Sequence, residues 1–200
     1  LEDPDPNVRK LAKEGIELFN GEDLTNWKIT DYGTQGMVRV QNGNILLGRG
    51  DGATGITWTG DELPNENYQI TLNAKRVSGR DFFCGLTFPI KDSHLTLIVG
   101  GWGGTVVGLS SLDGMDAAEN STGSLRHFDQ NRWYSITLEV RRHLVKVWIN
   151  DVKIIQCNTK GYELSLRPEV LLARPLGFTT WNTTGALKNI KLIQIQAEKE

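Results

Sequence analysis

Between Tyr68 and Lys75 the chain alternates without a break: Tyr68, Ile70, Leu72 and Ala74 are apolar or aromatic, while Gln69, Thr71, Asn73 and Lys75 are polar. A period of two sends successive side chains to opposite faces of a strand, so one face can be buried while the other meets water. Ile136, Leu138 and Val140 alternate in the same way with Thr137, Glu139 and Arg141, and Val145, Val147 and Ile149 resume the period a few residues later. This spacing predicts two antiparallel strands turning at His143-Leu144, with Asn150-Asp151 closing the second. A fourth run sets Leu95, Leu97 and Val99 against His94, Thr96 and Ile98. Both of its faces are largely apolar, as in a strand covered on two sides or lining a cleft.

Short β-type runs separated by Gly, Asn and Asp recur at roughly 8–12 residues, the rhythm of a sandwich or barrel. No long amphipathic helix intervenes, which argues against a parallel sheet with crossover helices. The expected architecture is an all-β antiparallel sandwich forming one domain over residues 16–200. Residues 1–15 read as a polar, proline-bearing leader packed on that domain, with a short helical stretch from Asn7, a plausible N-cap, through Lys13 before Gly15 stops it.

Composition adds bounds. At 200 residues the chain can bury one substantial core. A formal net charge of -2, spread over both signs without long runs, gives no reason to expect a nucleic-acid partner. No apolar stretch approaches the roughly 20 residues of a membrane-spanning helix, and Leu1 to Pro6 lacks a basic-then-apolar export signal. Cys84 and Cys157 sit in apolar, strand-like segments, where buried free thiols are expected ahead of a disulfide, and neither has metal-ligand spacing.

Three passages carry a family resemblance. Leu18-Phe19-Asn20-Gly21-Glu22-Asp23-Leu24 followed by Trp27 opens the chain; Asn131-Arg132-Trp133-Tyr134-Ser135-Ile136 leads to Val147-Trp148-Ile149-Asn150-Asp151; Gly177-Phe178 and Leu187-Lys188-Asn189-Ile190-Lys191 close it. Together they resemble the bacterial domain family associated with 3-keto-disaccharide hydrolases. The opening signature is the most specific of the three. Departures are Asn26 and Leu187-Lys188, where the family usually has Gly and Phe-Arg, and above all the middle from Asp81 to Asn120, which resembles a divergent subgroup. The resemblance implies a concanavalin A-like jelly-roll β-sandwich of two antiparallel sheets. It also implies activity on 3-keto-glycosides and export to the periplasm or beyond; a lectin-like carbohydrate-binding module is the alternative. A protein-interaction domain of the laminin-G type is a third reading, and it requires a broad exposed apolar patch.

The segment from His94 to Glu119 combines a glycine-flanked Trp102 with Asp113, Asp116 and Glu119. An aromatic ring presented by flexible backbone stacks on the C–H face of a sugar while carboxylates accept its hydroxyl protons. The plainer reading is a Trp lying over a sheet end with acids in a solvated loop. The paired acids of ordinary sandwich glucanases, in Glu-x-Asp-x-x-Glu spacing, are absent, which argues against that chemistry. A 3-keto sugar relaxes the requirement, because the ketone acidifies the neighbouring C–H and lets the glycosidic bond leave by elimination. Asp81, His94, Asp116 and Glu119 are the candidate catalytic groups; Arg126 or a divalent cation is the candidate enolate stabiliser. Trp102, Arg126 and Trp181 are the candidate substrate-binding residues. No metal or cofactor is expected, with calcium at Asp113-Gly114-Met115-Asp116 the one possibility kept open. Gly50-Asp51-Gly52-Ala53-Thr54-Gly55 formally fits a nucleotide fingerprint, but without a following helix it reads as a connection between strands.

Overall fold

The computed structural model describes residues 15–197. Two antiparallel sheets face each other. The first runs β13 (Val152–Asn158), β12 (Leu144–Ile149), β11 (Tyr134–Arg141), β6 (Tyr68–Ser78), β15 (Thr184–Gln194), β4 (Asn44–Leu47), β3 (Val38–Gln41), with β1 (Ile16–Glu17) paired on β15. The second runs β10 (Ser124–Leu125), β9 (Val106–Ser110), β8 (Ser93–Gly101), β7 (Cys84–Ile90), β14 (Gly177–Trp181), β5 (Ala53–Trp58), β2 (Trp27–Ile29). A short 3-10 helix, η1 (Pro168–Ala173), precedes β14. The leader helix expected between Asn7 and Lys13 lies outside the described residues.

The alternating runs bury the faces their period dictates. Tyr68, Ile70, Leu72 and Ala74 of β6 point inward beside Ile136, Leu138 and Val140 of β11 and Val145, Val147 and Ile149 of β12. Opposite them lie Leu95, Leu97 and Val99 of β8, Leu86 and Phe88 of β7, and Phe178 of β14, all in one apolar cluster. Trp27 crosses Trp58 edge-on at 5.1 Å between centroids and donates its indole N–H to the carbonyl of Leu18 at 2.6 Å. The opening signature therefore closes one end of the core. The β11–β12 turn falls at Arg142-His143, one residue earlier than expected, because Leu144 already pairs with Arg141. Cys84 and Cys157 are both free and buried, and burial pushes the Cys84 thiol up to about 12. Trp133 lies outside the core, half-buried on the outer face of the first sheet beneath the ammonium groups of Lys75 and Lys188.

The outward face of the second sheet positions everything that follows. Many of its side chains are small or hydroxylated, yet Thr57, Thr87, Thr96 and Thr179 are almost wholly buried. Their hydroxyls satisfy one another: Thr87 with Thr96 at 2.9 Å, Thr30 with Thr57 at 2.7 Å, and Tyr32 with Thr179 at 2.9 Å. Thr57 spends its proton on the carbonyl of Leu172, so Thr30 is the donor to Thr57. Glycines make room for covering segments. A Cβ on Gly108 would meet the carbonyl oxygen of Ala117 at 2.8 Å, and one on Gly177 would meet that of Ala173 at 2.6 Å. Loops thus lie directly on the backbone of this sheet and wall off part of its surface.

Candidate functional site

Between those loops the outward face opens into a cavity of about 210 Å³. Thr96 and Ile98 of β8 and Ser110 of β9 form its floor, since they share the face opposite Leu95, Leu97 and Leu109. Around it stand Asp81 and Phe82 from the β6–β7 connection, Trp102 from the β8–β9 turn, Trp181 at the end of β14, Asp116 from the β9–β10 connection, and Arg167, Glu169 and Val170 at η1.

The Trp102 turn is held from beneath. Trp102 is 45% exposed and its backbone is left-handed, with φ 45°. The backbone N–H groups of Gly104 and Thr105 both donate to the carbonyl of Gly101 at 3.1 Å. Arg76 projects inward from β6, where the alternation calls for an apolar residue, and donates to the carbonyls of Gly104 at 2.7 Å and of Gly100 and Phe128 at 3.3 Å. A Cβ on Gly100 would lie 2.6 Å from that guanidinium, and the φ of 78° there also favours glycine. Two of the glycines around Trp102 therefore serve the buried Arg76 rather than flexibility.

Asp81 completes the support. Its carboxylate accepts the backbone N–H of Phe82 at 2.7 Å and those of Trp102 and Gly103. Burial raises its pKa above the ordinary carboxylate value; the backbone donors and the Arg76 charge pull the other way without cancelling it. Burial also lowers the pKa of Arg76. Beside this unit Phe82 stacks on Trp181, with centroids 6.5 Å apart and planes at 29°. Three aromatic rings thus line one cavity, and flat apolar faces of this kind match the C–H faces of a pyranose.

Asp116 is the most enclosed acid of the cavity lining, at 8% exposure. Its Oδ1 accepts the N–H of Ala118 at 2.8 Å, and its carbonyl accepts the Asn120 amide at 2.8 Å, which locks the turn while Ala117 rests on Gly108. Its Oδ2 accepts no hydrogen bond among the described residues. Across η1, Arg167 and Glu169 face each other at 3.6 Å, both partly exposed.

The sequence-derived candidates divide accordingly. Asp81, Asp116, Trp102 and Trp181 meet in the cavity. His94 lies on the same strand face two residues from Thr96 but is not in the lining; burial and the neighbouring charge of Arg174 lower its pKa, which favours the neutral ring. Glu119 is exposed and turns its carboxylate toward the N–H of Asp116, at 3.4 Å. Arg126 is exposed, with its backbone N–H on the carbonyl of Thr105, and the cation beside the cavity is Arg167 instead. Among the described residues no three His, Cys, Asp or Glu side chains gather as a metal site. In the loop considered for calcium, Asp113 accepts the N–H of Glu163 while Asp116 faces Ala118, so the two carboxylates serve different segments. Arg76, Phe82, Ser110, Arg167 and Glu169 were not among the expected residues. Only Arg76 had a signal in the sequence, as a charge at an inward strand position.

Residues 14–193 match the family described as the 3-keto-alpha-glucoside-1,2-lyase-like domain. No curated protein matches the chain in sequence. A Parabacteroides distasonis protein provisionally described as a glycosyl hydrolase has a similar structure, with a TM-score of 0.58, 16% identity, and coverage of 97% of this chain and 99% of that one. The carbohydrate-binding module CBM66 from Bacillus subtilis aligns with a TM-score of 0.55 at 14% identity, over 88% of this chain and 99% of that one. A Bacillus subtilis protein of unknown function with a galectin-like fold reaches 0.63 at 10% identity, over 86% and 90% of the two chains. At these identities the likeness is one of fold.

Proposed function

Because this chain belongs to the 3-keto-alpha-glucoside-1,2-lyase-like family, we propose that its aromatic cavity holds a 3-keto-glycosyl unit and breaks the glycosidic bond by elimination. The observation that carries the reading is the meeting of Asp116, Arg167 and three aromatic rings in one cavity on the outward sheet face. The ketone at C3 makes the C2 proton acidic. Asp116, through its unpartnered Oδ2, takes that proton, and Arg167 stabilises the enolate oxygen. Collapse of the enolate forms the C1–C2 double bond and expels the oxygen at C1, which recovers the proton from Asp116. The products are the free alcohol and a 1,2-unsaturated keto sugar, and adding water across that double bond gives net hydrolysis. Asp81 is assigned to holding the Trp102 turn rather than to chemistry, since its carboxylate is already taken by backbone donors.

A second reading is supported by the same contacts. Asp81 is engaged by the backbone and Glu169 by Arg167, which leaves the Oδ2 of Asp116 to meet a sugar, and a carbohydrate-binding module that only stacks and hydrogen-bonds sugar needs no more. Incubation with a 3-keto-disaccharide separates the two. Release of the free alcohol by the wild type, lost in Asp116→Asn while the substrate still binds, is the expected result. Binding without release by the wild type selects the module.

A further inference from the structure

A second cleft, of about 440 Å³, lies against the first. The ridge between them is built from three chain segments that each give consecutive residues to the two sides. Phe82, Trp102 and Trp181 face the aromatic cavity; Gly103 and Asn182 face the cleft, and Asp81 borders both. The separation is therefore about one residue, the reach of a glycosidic linkage.

The chemistry of the two sides differs. The cleft has no aromatic residue in its lining, and its charged lining residues are Arg49, Arg80 and Asp81. Both arginine side chains are exposed, and neither has an ion-pair or hydrogen-bond partner among the described residues. The acid in the lining, Asp81, has its carboxylate occupied by backbone N–H groups and faces the buried charge of Arg76. The Asn182 side-chain oxygen is likewise taken, by the N–H of Gly52 at 3.0 Å, so its amide nitrogen is what remains to offer. A depression lined by two uncompensated cations and a spare donor favours an anion with several acceptor oxygens.

We infer that this cleft is a second saccharide subsite, selective for a sugar bearing a carboxylate or a sulfate ester, which it holds while the adjoining ring occupies the aromatic cavity. The inference rests on the saccharide reading of that cavity and adds the charge of the substrate's other half.

The test is calorimetric titration of the intact chain with three probes, each in 3-keto form on the first ring: glucosyl-glucose, glucosyl-glucuronate and glucosyl-glucose 6-sulfate. The acidic probes are expected to bind about tenfold more tightly than the neutral one at low salt, with the advantage shrinking as ionic strength rises. Preference for the glucuronate alone identifies paired carboxylate recognition by an arginine fork; equal preference for the sulfate identifies charge alone, and either supports the subsite. In the Arg49→Gln, Arg80→Gln double variant the preference is expected to vanish while affinity for glucosyl-glucose stays within about twofold, since exposed side chains contribute little to folding. Equal affinity of the wild type for neutral and acidic probes overturns the subsite and leaves the saccharide cavity standing. Failure of all three probes to bind overturns both.

Discussion

The carboxylate of Asp81 accepts the backbone N–H of Trp102, so the acid that the sequence offers for catalysis is tied to the turn carrying the ring that the sequence offers as a sugar platform. Two residues acting through one structural unit should not contribute independently. Trp102→Ala and Asp81→Ala are each expected to weaken saccharide binding by about 1–3 kcal/mol, the scale of a lost stacking surface. The double variant should be hardly weaker than either single one. Calorimetric titration of the four proteins checks this, and additive losses would mean that Asp81 touches the sugar on its own account.

Arg76 bears the same turn from the core side. Arg76→Met keeps the stem's packing but strands the carbonyls of Gly100, Gly104 and Phe128. Leaving buried acceptors unmet should cost about 3 kcal/mol of folding stability and loosen Trp102. Urea unfolding gives the first quantity, and Trp102 fluorescence quenching, read against Trp102→Ala, gives the second. A variant within about 1 kcal/mol of the wild type would show that Asp81 holds the turn unaided.

Gly108 places Asp116 without touching it. A methyl group there meets the Ala117 oxygen at 2.8 Å and the Ala117 Cβ at 3.0 Å, so Gly108→Ala must push the Asp116 turn off the sheet. Displacing the proposed base by a fraction of an ångström is expected to lower turnover of a 3-keto-glycoside by about tenfold or more. The stability cost of such overpacking should be about 1–3 kcal/mol. Steady-state kinetics paired with thermal melting separates the two effects; unchanged turnover removes Asp116 from the chemistry.

A pH signature is expected far from the cavity. Glu139, buried on the outer face of the first sheet, is desolvated, which raises its pKa. Bonds from Arg141 at 2.7 Å and Gln69 at 2.7 Å, together with Lys146 at 3.3 Å, outweigh that and hold it below the ordinary 4.5. Because the folded value is the lower one, the stabilisation is present above 4.5 and is lost as pH falls through the folded value. Glu139→Gln should therefore cost about 2 kcal/mol near neutrality, the scale of a hydrogen bond to a charged group, and progressively less in acid. Denaturant melts of both proteins across that range measure it, and a gap independent of pH would contradict the assignment.

The strands were legible because their pattern is set by one physical demand: Tyr68 to Ala74, Ile136 to Val140 and Val145 to Ile149 each have one face to bury. The double burial of β8 was also legible, since His94, Thr96 and Ile98 offered too little polarity for an open face. Site residues borne on turns were harder. Trp102 stood out by its glycines, but which acids meet it depends on loops that cross from distant parts of the chain. Arg167 and Glu169 reach the cavity through η1, a short Pro-led turn without periodicity, whereas Arg126 and Glu119, closer to Trp102 in sequence, do not line it. Arg76 was readable as a charge breaking an inward-facing row, and it marked the support of the site rather than the site.

The most direct test is a crystal structure of the Asp116→Asn protein soaked with a 3-keto-disaccharide. The expected result is the keto ring against Trp102 and Trp181, with its C2 next to residue 116 and its C3 oxygen toward Arg167. A saccharide bound on another surface, or in the cavity with C2 turned away from residue 116, would contradict the account.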